Sequence, residues 1–205
     1  MKKFALLLLA SASGFAQLNT LKKSNENLDT VVLAGGCYWC VEAVYEQLDG
    51  VTSAVSGFAG GTVANPTYEQ VSTGATGYAE SVKITFDKTK TSLDEIFKVF
   101  FTVHDPTSLN RQGADQGTQY RSAIFYKDEA QKKAAESVIA ALSRAHVYDK
   151  PIVTSIEPLK KFYPAEDYHQ DYYANNKDQP YCQLVIQPKL EKFEKVFKDR
   201  LKKKK

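Results

Sequence analysis

Two thiols three residues apart, Cys37 and Cys40, follow the run Val31-Val32-Leu33-Ala34-Gly35-Gly36 and precede apolar residues at Val41, Val44, Tyr45 and Leu48. The apolar run reads as a strand, the glycine pair as a tight turn, and the spacing beyond it as one face of a helix. Cys37 then stands at the helix start, where unpaired backbone N–H groups and the positive end of the dipole favour an anion. A thiol so placed is drawn towards the thiolate, which is its nucleophilic form. Gly35 and Gly36 allow the sharp turn and leave open space in front of the sulfur. The chemistry on offer is nucleophilic or redox, with Cys37 attacking. The competing reading is a pair of small apolar residues in a core, a common fate of free cysteine.

The rest of the chain must build a pocket over that sulfur. At 205 residues and 43% hydrophobic content, it suits one ordinary globular domain with a full core. Residues 1–16 read as a signal peptide, because Lys2 and Lys3 lead Phe4-Ala5-Leu6-Leu7-Leu8-Leu9-Ala10 and small residues follow. That apolar run is too short to span a bilayer. Residues 17–28 are a polar linker, and 29–205 form the domain with an amphipathic C-terminal helix and a lysine tail. The expected location is therefore exported, periplasmic or otherwise outside the cytoplasm.

Loss of Lys2 and Lys3 takes the formal charge from +3 to +1, so the mature chain is nearly neutral. Its surplus gathers at Lys198-Asp199-Arg200-Leu201-Lys202-Lys203-Lys204-Lys205, read as the solvated, frayed end of a helix. One terminal run without interleaved aromatics does not indicate a nucleic-acid partner. Three cysteines are an odd number for an oxidising compartment. At least one thiol is left over, which favours redox traffic over a static disulfide framework.

Val51 to Gly57 reads as a second strand, and Asn65-Pro66-Thr67-Tyr68 as a turn into a short helix over Tyr68 to Val71. Glu80 to Asp87 alternates apolar with polar and is a strand with one wet face. Ser92 is placed to cap a helix whose buried stripe is Leu93, Ile96, Phe97 and Phe100. The polar segment Thr107 to Thr118 is a loop long enough to suggest function. Ser122 to Tyr126 is a strand, Asp128 to Arg144 a helix, and Ile152 to Ile156 a fifth strand. Leu190, Phe193, Val196 and Phe197 mark the closing helix. The expected fold is α+β: a two-layer sandwich with a ferredoxin-like mixed sheet and helices packed on one face.

Several separate motifs occur in one order: Gly36-Cys37-Tyr38-Trp39-Cys40, Asn65-Pro66-Thr67-Tyr68, Gly77-Tyr78-Ala79-Glu80, His104-Asp105-Pro106-Thr107, Asp115-Gln116-Gly117-Thr118-Gln119-Tyr120-Arg121-Ser122 and Tyr163-Pro164-Ala165-Glu166-Asp167-Tyr168-His169-Gln170. In this the chain resembles the A-type peptide methionine sulfoxide reductases, from the first strand to about Pro188. It departs at Tyr38, where the family usually has Phe, and at Cys40, where many members have Gly and a subset has Cys. The resemblance implies a two-layer α/β plait and reduction of the S epimer of methionine sulfoxide, free or within a protein. It implies no cofactor, a thioredoxin-like dithiol reductant and a monomer.

Reducing a sulfoxide requires a nucleophile at sulfur and a proton donor at oxygen, and one group cannot do both. The resemblance assigns the attack to Cys37 and the proton to Glu80, whose place beside apolar Tyr78 and Ala79 allows it to stay protonated. Tyr68 and Tyr120 correspond to two phenols that complete the donor set. Tyr38 and Trp39 supply an apolar wall for the S-methyl group, and Asp115 orients the substrate or neighbouring donors. The sulfenic acid left on Cys37 needs a second thiol. Cys182 holds the family's usual resolving position, in a Pro/Asn-rich segment expected to be mobile, while Cys40 is nearer in sequence; both stay open. Two other functions compete: a disulfide oxidoreductase suggested by C-x-x-C, and a structural zinc module using Cys37, Cys40, Cys182 and His169.

Overall fold

The computed structural model describes residues 27–203; the expected signal peptide and the linker up to residue 26 lie outside them. β1 (Leu28–Gly35) passes through Gly36 into α1 (Tyr38–Gln47), and β2 (Val51–Ala59) follows. A short α2 (Tyr68–Ser72) precedes β3 (Ala79–Asp87) and α3 (Leu93–Val103). A small hairpin, β4 (Arg111–Gln112) with β5 (Asp115–Gln116), interrupts the polar loop ahead of β6 (Ser122–Tyr126) and α4 (Glu129–Arg144). Then come β7 (Ser155–Pro158), β8 (Phe162–Pro164), α5 (Tyr172–Asn175), a helical turn Cys182–Ile186 and α6 (Gln187–Val196).

Six strands form one mixed sheet in the order β7-β6-β1-β3-β2-β8. β1 and β2 flank β3 and pair with it antiparallel, β6 pairs antiparallel with β1, and β7 is a parallel edge strand beside β6. The period of two decides what each strand contributes. Val31 and Leu33 join the main core under the helices, whereas Val32 and Ala34 face the opposite side with Ala59, Ala79, Ala123 and Phe125. The small side chains on that second face let Leu159 and Phe162 close over it, so no helix is needed there. The α+β class read from the sequence is the one observed.

Helix α3 locks the main core. Ser92 Oγ accepts the Glu95 N–H at 3.2 Å, and Ile96, Phe97 and Phe100 are buried against the sheet. Each such side chain stabilises the fold by about 1.5–3 kcal/mol. Val99, Phe101 and Val103 are buried as well, since α4 covers the flank of α3 away from the sheet.

Three expectations are corrected and one strand is added. The fifth strand lies at Ser155–Pro158 rather than Ile152 to Ile156, because pairing with Ala123–Tyr126 begins only at Ser155. The edge strand β8 was not read from the sequence at all; it pairs with Gly57–Ala59. Val196 is exposed, while Leu190, Phe193 and Phe197 are buried. The tail does not fray as a helix. It makes a short turn at Lys198–Arg200, Leu201 bridges Leu48, and the Lys202 N–H donates to the Gln47 carbonyl at 2.8 Å.

Candidate active site

Sheet parity brings the first two groups together. Val82, Ile84 and Phe86 of β3 face the helices, and Glu80, two residues earlier, points the same way into the start of α1. Cys37 is the N-cap of α1, with no side-chain cap, and follows Gly36 at φ +89°. The α1 backbone then holds the acid: the Tyr38 N–H donates to Glu80 Oε2 at 3.0 Å. Glu80 is 2% exposed and Cys37 is 5% exposed. Burial is the main cause that raises the Glu80 carboxyl to about 8, more than the Tyr38 N–H lowers it, so it is protonated at neutral pH.

The thiol differs from the expectation. Burial pushes Cys37 up, and the hydrogen bond it donates to Cys40 and the nearby Glu80 carboxyl push it further. Cys40 moves the other way: the hydrogen bond from Cys37 holds it down to about 7. The helix start does not win at the resting Cys37, because the sulfur is covered and its nearest charged neighbours are acids.

Tyr68 and Tyr120 both face this pair. Burial raises each phenol first, at Tyr68 outweighing a hydrogen bond from Ser72, and any charge that forms on Glu80 or Cys37 raises them further, so both stay protonated donors. Tyr68 is fixed from behind, its backbone N–H donating to Glu166 Oε1 at 3.1 Å. Asp115 stands on the β4–β5 hairpin and accepts from the Tyr181 hydroxyl at 2.8 Å. Tyr181 also lies against the Cys37 sulfur and edge-on to Trp39, with ring centroids 5.9 Å apart.

Tyr38 and Trp39 split in role. Tyr38 is fully buried between Phe58 and His169, its hydroxyl unpartnered, so it belongs to the core under the site. Trp39 is partly exposed and stacks on Tyr172 at 3.6 Å with an interplanar angle of 6°. One face of the indole is therefore covered by Tyr172, and the ring is an aromatic wall held from that side.

The structure places Cys182 inside the protein. It is wholly buried at the start of the helical turn leading into α6, packed in the main core. Burial raises its thiol, and Cys40 is the sulfur that acts on it. Cys37 and Cys40 are thus joined by a hydrogen bond, and Cys40 is the thiol whose charge reaches Cys182. Among the described residues no three His, Cys, Asp or Glu side chains are arranged to hold a metal ion, and His169 sits instead among the rings of Tyr38, Trp39, Tyr68 and Tyr168.

Three residues around the site were missed as site residues: Tyr181, Tyr172 and Glu166. Tyr181 adjoins Cys182 in sequence and Glu166 lies in the Tyr163–Gln170 motif, which were the available signals; Tyr172 carried none, since only the return of the chain past β8 brings it over α1.

The sequence profile for peptide methionine sulfoxide reductase matches residues 29–201. A protein of Chromobacterium violaceum named peptide methionine sulfoxide reductase MsrA is 52% identical over 170 residues, 83% of this chain and 97% of that protein. One of Saccharolobus solfataricus with the same name is 51% identical over 175 residues, 85% of this chain and 98% of that protein. Among solved structures, Mxr1 of Saccharomyces cerevisiae in reduced form superposes with a TM-score of 0.68 at 32% identity, over 77% of this chain and 90% of that one. Methionine sulfoxide reductase A of Corynebacterium diphtheriae gives 0.65 at 36%, over 73% and 76%.

Proposed function

Since the chain belongs to the peptide methionine sulfoxide reductase family and is an oxidoreductase of methionine sulfoxide, we propose that it reduces the S epimer, free or within a protein, with Cys37 as nucleophile and Glu80 as proton donor. The observation that carries this reading is the Glu80 carboxyl, buried beside Cys37, held by the Tyr38 N–H and raised to about 8. A protonated acid beside a thiol matches what a sulfoxide needs: attack at sulfur and a proton at oxygen.

The substrate methyl group lies against Trp39 and the oxygen points to Glu80, Tyr68 and Tyr120. Cys37 sulfur attacks the substrate sulfur while Glu80 and the two phenols donate to the oxygen. The S–O bond of the sulfoxide breaks as the Cys37–substrate S–S bond forms, the oxygen leaving as hydroxide with the Glu80 proton; that hydroxide attacks the Cys37 sulfur and breaks the S–S bond, so the sulfide leaves with two more electrons than it brought and Cys37 is left as the sulfenic acid. Glu80 regains its proton from the Cys37 thiol, so the step consumes none. Asp115 holds Tyr181 across the mouth of the site and orients the substrate through it.

Resolution follows the order of the sulfurs. Cys40 attacks the sulfenic sulfur of Cys37, forming the disulfide and releasing water, and its lowered pKa supports that role. Cys182, which the charge of Cys40 reaches, takes over by exchange. Two thiols of a thioredoxin-like protein then restore the reduced enzyme. The leader pattern of residues 1–16 supports export, tested by the mass of the mature protein recovered outside the cytoplasm.

The deciding experiment offers methionine S-sulfoxide and R-sulfoxide separately, each with dithiothreitol. Turnover of the S epimer alone is expected. Equal turnover of both, or reduction of a disulfide substrate at a similar rate by a Glu80→Gln variant, overturns the reading.

A further inference from the structure

Further along α1 from Trp39, a cavity of about 540 Å³ holds acids that the sulfoxide chemistry does not use. Glu42 and Glu46 enter it from α1, Asp167 and Asp171 from the segment ahead of α5, and Lys202 from the tail. Glu42 is 2% exposed and lies against Ser56 and the Asp171 backbone, whose donors favour its anion, but burial outweighs them. A proton on Glu42 removes the cost of a buried anion. Glu46 stands beside Asp171 in this cavity, and a proton on Glu46 turns the meeting of two carboxylates into a donor facing an acceptor.

The segment tied down by these acids carries the aromatic wall. Gln170 pins it to β2, accepting the Ser56 N–H and donating to the Ser56 carbonyl, both at 3.0 Å. Asp171 follows at φ +52°, a left-handed conformation that surroundings must hold in place. His169 comes just before, 5.6 Å from the Trp39 ring, and Tyr172 comes just after, stacked on Trp39. Glu42 and Glu46 therefore stand one and two turns along α1 from Trp39, gripping the same segment that covers it.

We propose that Glu42, Glu46 and Asp171 form a proton-holding clamp that positions His169 and Tyr172 against Trp39, so that the aromatic wall of the substrate site is set while the clamp is protonated and loosens when it ionises. The inference rests on the reading of Trp39 as that wall. Burial raises Glu42 to about 7 and Glu46 to about 8, so the loosening falls between those values. Above them Glu42, Glu46, Asp167 and Asp171 face one another with Lys202 as the facing cation, and Asp49 also acts on Lys202. Neutral Gln170 remains bound to Ser56, so the segment loosens without leaving.

Trp39 is the chain's one tryptophan, which makes the wall directly observable. In the wild-type enzyme, acrylamide quenching of Trp39 should increase as pH rises through about 7 to about 8, and KM for a methionine sulfoxide peptide should rise over the same range with kcat changing separately. Glu42→Gln with Glu46→Gln mimics the protonated acids and should abolish both increases. Asp171→Asn removes a like charge that holds the proton on Glu46 and should move the quenching increase to lower pH, which keeps the test informative if the double variant folds poorly. An unchanged increase in both variants, or none in the wild type, overturns the clamp. The quenching arm needs no turnover, so a clamp that behaves as expected in a protein inactive on sulfoxides would refute the functional reading alone.

Discussion

The Tyr38 N–H and Glu80 Oε2 lie 3.0 Å apart, so the residue that follows the nucleophile in sequence holds the proton donor by its backbone. Nucleophile and acid cannot drift independently: moving the first turn of α1 moves both. The price is an N–H that favours the charged carboxylate, and burial must outweigh it to keep the proton on.

Glu80→Gln should keep the fold and the Tyr38 contact while losing about 10²–10⁴-fold in kcat, the usual contribution of a positioned general acid. The wild-type pH profile has a definite sign. The carboxyl is raised to about 8, so the active protonated form is present below that value and lost above it. Activity should fall as pH rises through about 8, and the remaining activity of the variant should lack that limb. A Glu80→Gln enzyme with wild-type kcat would remove the residue from the reaction.

Tyr68→Phe and Tyr120→Phe each delete one oxygen donor and leave Glu80 in place. Each should slow turnover by roughly tenfold or more, and the pair by about 10²–10³-fold, the scale of a lost oxyanion donor. The loss should fall on kcat more than on KM, because these phenols matter most once the oxygen carries charge. A pure KM effect in both variants would make them binding residues.

The Cys37 helix, the alternation in β3 that turns Glu80 inward and the capped stripe of α3 were legible because each is a local pattern: a period of 3.6 or 2, or a cap three residues ahead of its acceptor. The titration of Cys37 was not. A helix start favours a thiolate, but the burial of the sulfur and its nearness to Glu80 and Tyr181 come from segments far from it in sequence. The burial of Cys182 was not legible for a related reason. Its Pro/Asn-rich surroundings look loose in sequence, yet Ile186, Leu190 and Phe193 recur at helical spacing just beyond it and draw it into the core. β8 is three residues long and shows no alternation of its own; it exists because Gly57 lets the Phe162–Pro164 backbone approach β2, where a Cβ would come within 2.3 Å of the Tyr163 carbonyl.

The order of the sulfurs predicts the order of the disulfides. After one turnover without reductant, Cys182→Ser should yield the Cys37–Cys40 bond by mass mapping, and Cys40→Ser should accumulate sulfenic acid that dimedone traps. Release of methionine in that first turnover should be unaffected in both. A Cys37–Cys182 bond formed at full speed in Cys40→Ser would place the resolving step on Cys182 directly.

Gly36 tests whether the turn itself sets the site. Its φ of +89° is left-handed, and a Cβ there would stand 2.5 Å from Gln112 Cγ. Gln112 cannot swing aside freely, because its amide accepts the Asp105 N–H at 3.0 Å and donates to the Asp105 carbonyl at 3.1 Å. Gly113, at φ +63°, is also left-handed but has nothing within 4 Å of its Cβ position. Gly113→Ala should therefore cost only the backbone term, about 1–2 kcal/mol, and leave activity intact. Gly36→Ala should cost more than that in denaturant unfolding and also lower kcat, since Cys37 is the next residue and any shift of the turn displaces its sulfur from Glu80. Equal stability loss and equal activity in the two variants would mean that Gln112 yields and that the turn does not position the nucleophile.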